Sequence, residues 1–145
     1  MNVFLAGIIQ GSKVAAEIHD QGWRERVTRA VTRALPDAKV YDHFQEHPES
    51  ITYDLPDIRA TFAEGNRRAG ECDLLIAYVP EASMGTAIEM HEAHCHGAAV
   101  VTISPLVTNW VIRAYSDAIL PDVPAFEEFA ASGELGKLSA ARGKA

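Results

Sequence analysis

The segment Asp73–Val79, reading DLLIAYV, constrains the fold more than any other stretch of this chain. From Leu74 onward it holds nothing more polar than the Tyr78 hydroxyl, so both faces of a strand there need cover. A strand inside a parallel sheet, with helices above and below, meets that requirement. Ala98–Ile103 reads the same way, Asn2–Ala6 is a short apolar strand ending at Gly7, and Lys39–Asp42 is a shorter one. Helical patterns fall between them. From about His19 to Leu35, Trp23, Val27, Val31 and Leu35 recur every four residues, Arg24, Glu25, Arg29 and Arg33 face elsewhere, and Pro36 ends the run. Further helices are predicted over about 57–69, 85–96, 107–115 and 124–131, with Ala118–Leu120 a short edge strand and 43–56 a long loop.

Strands alternating with helices specify right-handed βαβ units. The expected fold is α/β: a flavodoxin- or Rossmann-like three-layer sandwich on a four- to five-stranded parallel sheet. Ligands in such sheets sit at the carboxyl ends of the strands, beside the point where strand order reverses, so the loops 7–13, 42–56, 80–86 and 104–110 are the candidates. A chain of 145 residues suits one domain, expected over 1–131, with 132–145 a flexible C-terminal tail. No apolar run approaches the roughly 18 residues of a membrane-spanning helix. The opening Met1–Gly7 has no basic n-region and reads as a strand. Cys72 and Cys95 are too few for a disulfide scaffold and suit a reducing cytoplasm. The excess of 20 acidic over 13 basic residues, a formal charge of −7, argues against a nucleic-acid polymer as partner. A small anion needs only a few local donors, so it is not excluded.

The loop after the central strand carries the chemistry, from Pro80 to Glu89 (PEASMGTAIE). Ser83 is placed to cap the following helix, and Gly85 lets a ligand approach its first turn. Free N–H groups and the positive end of the helix dipole make that turn an anion site. Glu89 lies one turn further on, on the face of Gly85 and Thr86. An anion-binding turn with a carboxylate beside it suits a sugar phosphate attacked at its anomeric carbon. The bland alternative makes Ser83 a cap only and Glu89 a solvated helix residue.

With VFLAG, DLLIAYV, SMGTAIEMHEA and NWVIRA in place, the chain resembles the nucleoside 2-deoxyribosyltransferase superfamily, including its branch of nucleoside 5′-monophosphate N-glycosidases. The resemblance implies Glu89 as the nucleophile and Ser83 as the contact to the sugar 5′ position. Phosphate-using hydrolases of the family have Ser there and the nucleoside transferases Asp. It further implies Phe4, Gln10 and Asn109 as substrate-binding residues, with Ser12 and Lys13 near the phosphate; Gly7, Asp42 and Gly85, on the loops at the strand ends, complete the expected binding set. Phe4 stands where relatives with Tyr bring a hydroxyl near the 2′ carbon, and Gln10 where the phosphate-using branch often has Arg. The acidic residue that in relatives steers the nucleophile or the base matches Glu64 only with a one-residue shift, which makes Glu64 the candidate nucleophile-orienting residue. Asn109 and Arg113 match a segment that in relatives reaches a neighbouring subunit, so a homodimer or higher homo-oligomer is expected. No cofactor is implied. The activity implied is hydrolysis of the N-glycosidic bond of a nucleoside 5′-monophosphate. The alternatives are a base-exchanging nucleoside 2-deoxyribosyltransferase and a non-catalytic nucleotide-sensing module.

Other residues are less decisive. His91 and Cys95 stand at i, i+4 with His94 and His96 close by, but a closed zinc site needs further ligands that nothing nearby supplies, and no metal is expected. Asp42, His43 and His47 follow the second strand and either touch the base or solvate the loop. Trp23 and Trp110 read as packing residues.

Overall fold

The computed structural model describes residues 1–142 and contains a five-stranded sheet of order β2-β1-β3-β4-β5, every pairing parallel. The strands are β1 (Asn2–Gly7), β2 (Lys39–Asp42), β3 (Leu74–Tyr78), β4 (Ala99–Ile103) and β5 (Ala118–Leu120). This is the flavodoxin-like strand order, with its reversal between β1 and β3. Helices α1 (Trp23–Ala34), α2 (His43–Glu46), α3 (Leu55–Glu71), α4 (Met84–Cys95), α5 (Trp110–Tyr115), α6 (Val123–Ala131) and α7 (Glu134–Arg142) complete the chain.

Period-two alternation divides the sheet into two buried faces. Val3, Leu5, Leu74 and Ile76 join Val27 and Val31 of α1 and Phe126 of α6 on one side. Phe4, Ala6, Leu75 and Ala77 join Ala69 of α3 and Met90 and Ala93 of α4 on the other. The apolar run Leu74–Ala77 is buried throughout, as double cover requires. Helices α3 and α4 lie side by side in the same direction. A Cβ built on Gly85 would meet the Phe62 ring, one on Gly65 would meet Glu89, and one on Gly70 would meet His96.

The chain departs from the sequence reading in three places. The expected loop 43–56 holds the short α2, begun by Asp42 accepting from the Phe44 N–H, and a 3-10 turn at Ser50–Thr52. The expected flexible tail from 132 contains α7, whose Leu35-facing side and buried Leu135 close the α1/α6 layer. Arg142 at its end forms an ion pair with Asp117. A buried leucine and an anchored arginine keep this segment on the domain, so the domain runs past 131; the last residues of the expected tail, 143–145, lie outside the described residues. Arg24, read as facing away from the core, is buried. No helix of the described residues is long and apolar enough to cross a membrane.

Candidate active site

The loops that leave β1 and β3 at the reversal open onto one cavity of about 420 Å³, a size that suits a small ligand. Gly7, Ile9, Gln10 and Gly11 form one wall, the start of α4 another, and α3 with the 43–53 segment the rest. Gly7 and Gly11 are there for steric reasons. A Cβ on Gly7 would stand 2.3 Å from the Trp23 ring, which stacks on Tyr78 with centroids 4.6 Å apart. Gly11 has φ +59°, and a Cβ there would stand 2.5 Å from Ile8.

At the start of α4, Ser83 is extended and its Oγ lies 2.9 Å from Thr86 Oγ1 and 3.5 Å from the Thr86 N–H that caps onto it. The N–H groups of the first turn have no acceptor within the helix, and Met84 and Gly85 both border the cavity. That end therefore offers unpaired donors and positive potential.

Glu89 lies one turn further, half-buried on the same wall. Burial pushes its carboxyl up to about 8, opposed by the attraction of the Arg24 guanidinium. Arg24 is a buried cation with three hydrogen-bond acceptors around it. Its Nη1 donates to Asp42 Oδ1 at 2.6 Å, its Nε to Gln21 Oε1 at 2.6 Å and its Nη2 to the Gly7 carbonyl at 3.5 Å. The guanidinium also lies 4.4 Å from the centroid of the Trp23 ring. Burial lowers its pKa, while the Asp42 and Glu89 carboxylates pull it back up.

On the same cavity, His43 stands over Gly65, close to Glu89. Burial above all, then the neighbouring His47 and Arg24, hold its imidazole at about 4, so it is neutral at physiological pH. Behind it His47 packs with ring centroids 5.0 Å apart, and His47 Nδ1 lies 3.0 Å from the Tyr53 hydroxyl. Ile51, Tyr53, Ile58 and Phe62 make this end apolar and aromatic, and Asn66 adds an amide.

The structure brings Gly7, Gln10, Ser83, Gly85 and Glu89 to one cavity and leaves the other expected site residues off its wall. Phe4 is 1% exposed and points into the α3/α4 core, 5.3 Å from the Tyr41 ring, because β1 alternates and the cavity begins only at its end. The Ser12 hydroxyl donates to Glu81 at 3.2 Å, and Lys13 lies 3.6 Å from Glu17. Asp42 is taken up by Arg24 and by capping α2. Glu64 faces outward from α3, where hydrogen bonds from Arg67 and Arg68 hold its carboxylate at about 2; its neighbours Gly65 and Asn66 face the cavity instead. Asn109 caps α5 and borders a smaller adjoining groove, with Met84, Ala87 and Leu106. Trp110, expected to pack, is 85% exposed, whereas Trp23 does pack. The Cys95 thiol meets His91 Nε2 at 3.4 Å, and among the described residues no three metal-ligating side chains converge.

The architecture is found among solved structures. A 2-deoxyribosyltransferase from the psychrotolerant bacterium Bacillus psychrosaccharolyticus matches with a TM-score of 0.61 at 18% identity, covering 88% of this chain and 90% of its own. A conserved protein from Enterococcus faecalis V583 matches at 0.60 and 16%, covering 91% and 98%. The CMP N-glycosidase BcmB of Clostridium botulinum matches at 0.51 and 20%, covering 88% and 96%. The chain shares the fold of these three structures. No protein-family model matches it, and no curated protein matches it in sequence.

Of the two readings open for His43, the structure puts it on the cavity wall, whereas Arg24, Tyr53, Phe62 and Asn66 are not singled out for this cavity by the sequence. One signal was available for Arg24. A cation in the first turn of a helix opposes the dipole, so it needs a carboxylate partner, and Asp42 ends the neighbouring strand.

Proposed function

We propose that this protein is an N-glycosidase that hydrolyses nucleoside 5′-monophosphates, with Glu89 as nucleophile. One observation carries the reading: Glu89 shares a cavity wall with the capped start of α4, one helical turn away. Four residues of helix rise about 6 Å, comparable to the span from the phosphate to the anomeric carbon of a pentose 5-phosphate. A phosphate at the Ser83–Gly85 turn thus leaves C1′ near the carboxylate. The ionised Glu89 oxygen bonds to C1′ as the C1′–N bond breaks, and the electron pair leaves with the base, which takes up a proton from water. Water then hydrolyses the glycosyl-enzyme to release the sugar 5-phosphate and regenerate the carboxylate. The likeness in fold to a CMP N-glycosidase supports this choice.

The rival reading is base exchange on free nucleosides, as in a deoxyribosyltransferase. It is favoured by the absence of Lys and Arg from the cavity wall among the described residues. Incubation with a panel of nucleosides and their 5′-monophosphates, with and without an acceptor base, separates the two. Hydrolysis yields free base and sugar phosphate without an acceptor. Base exchange yields product only with one, and nucleotide recovered intact and tightly bound points to a sensing module instead.

We further propose that the protein works as a homodimer. Met84, Val107, Trp110 and Val111 are exposed apolar residues around the α4 and α5 starts, next to Asn109. Met84 borders both the cavity and the adjoining groove, so a second copy seated there would meet the cavity's edge.

A further inference from the structure

The cavity wall beside Glu89 contains a polar group that the glycosidase reading leaves unused. His43 borders the cavity, yet its Nδ1 is buried with no hydrogen-bond partner. That nitrogen is turned toward Gly65. A Cβ at Gly65 would stand 3.6 Å from it and 3.8 Å from Glu89 Oε1, so the imidazole and the carboxylate flank one point on α3. Nε2 is the ring nitrogen left for the cavity.

The tautomer follows from which buried atom tolerates the lack of a partner. The imidazole is neutral, so it carries one N–H. A buried, unpaired N–H is the rarer and costlier arrangement, whereas an unpaired acceptor is better tolerated. The proton therefore belongs on Nε2, with the Nδ1 lone pair sealed against Gly65. His47 stands behind the ring, itself held by the Tyr53 hydroxyl, and fixes the ring's place.

Resting on the glycosidase reading above, we propose that His43 is a base-contacting catalytic residue whose Nε2–H donates a hydrogen bond to an acceptor atom of the departing nucleobase. With the phosphate at the α4 start and C1′ at Glu89, the base is directed to the wall that His43 shares with Tyr53 and Phe62. As the C1′–N bond breaks and its electron pair moves onto the base, the acceptor becomes more negative and the hydrogen bond strengthens. The proton stays on His43 throughout, since a neutral imidazole is a hydrogen-bond donor and not a proton source at this pH. The class of base is one that presents a ring nitrogen or carbonyl acceptor toward this wall.

The test measures binding in a Glu89→Gln background, where turnover is blocked, using calorimetry with a nucleoside 5′-monophosphate and with ribose 5-phosphate, which has no base. His43→Phe keeps a planar ring without the N–H and is expected to weaken the nucleotide roughly ten- to a hundredfold. Ribose 5-phosphate is expected to hold within about twofold in the same variant. His43→Gln retains an N–H donor and is expected to keep most of the nucleotide affinity. Equal losses on both ligands, no loss on the nucleotide, or a Gln variant as impaired as Phe would overturn the assignment. Failure of the His43-intact protein to bind either ligand would overturn the glycosidase reading itself.

Discussion

Glu89→Gln is expected to stabilise the empty protein as pH rises, which is an unusual consequence of removing an active-site group. The Glu89 carboxyl titrates at 4.5 in an unfolded chain and at about 8 in its half-buried place beside the cavity. Between those values the native state holds a proton that the unfolded state has lost, so stability falls as pH increases. At about 1.4 kcal/mol per pKa unit the full separation corresponds to at most about 5 kcal/mol. Access to water through the cavity mouth reduces the expected span to about 2–4 kcal/mol between pH 5 and pH 8. Glutamine occupies similar space, is neutral throughout and loses nothing over that range. Urea unfolding of both proteins at pH 5.0, 6.5 and 8.0 reads this directly. The two should be close at pH 5.0, with the variant ahead by a growing margin at the higher values. Parallel stabilities across the series would mean that Glu89 is not desolvated, and the argument for its protonation would fail.

Three further outcomes follow from the same site. In the wild type, kcat/KM should climb with pH toward about 8 as the Glu89 carboxyl ionises, and a plateau already at pH 6 would contradict its raised pKa. Arg24→Met removes the cation that favours the ionised carboxylate and leaves Asp42 unpaired. It should move the rising limb of that profile upward and cost about 3–5 kcal/mol in urea unfolding, and an unmoved limb in a folded variant would deny Arg24 its influence. Ser83→Asp should weaken nucleotides at least tenfold more than the matching nucleosides, because it sets a negative charge against phosphate; equal losses would mean no phosphate binds at the α4 start.

The layers of the fold were legible because its strongest signals are one-dimensional. The unbroken apolar run at Leu74–Ala77 and the four-residue period from Trp23 to Val31 each require a particular kind of cover, and each received it. The β3–α4 turn was legible for a similar reason, since a Ser cap, a close-approach glycine and a carboxylate one turn on are all local. What lay beyond reach depended on contacts between segments far apart. Phe4 and its neighbour Leu5 differ only in phase, and the alternation sends Phe4 to the α3/α4 core instead of the cavity. Phe4→Tyr should therefore add a buried hydroxyl and reduce stability by about 1–3 kcal/mol, without changing preference between ribo- and deoxyribonucleotides. Glu64 and Asn66 differ by half a helical turn, which sends one to Arg67 and Arg68 and the other to the cavity. His43 came to the cavity through α2, a single turn that exists because Asp42 caps it while also holding Arg24. No local pattern announces that double use. The C-terminal helix is not legible in the sequence because one buried leucine and one ion pair suffice to anchor a short helix of low apolar content.

Attack of Glu89 on the sugar is read most directly from base release by Glu89→Ala. The wild type and the variant, matched for folding by circular dichroism, are incubated with the nucleoside 5′-monophosphate that the wild type turns over fastest, and free base is quantified by chromatography. The expected loss is at least about a thousandfold, as removal of a nucleophile produces in other enzymes. Release by the variant within tenfold of wild type, or no free base from any nucleotide with the wild type, would contradict it.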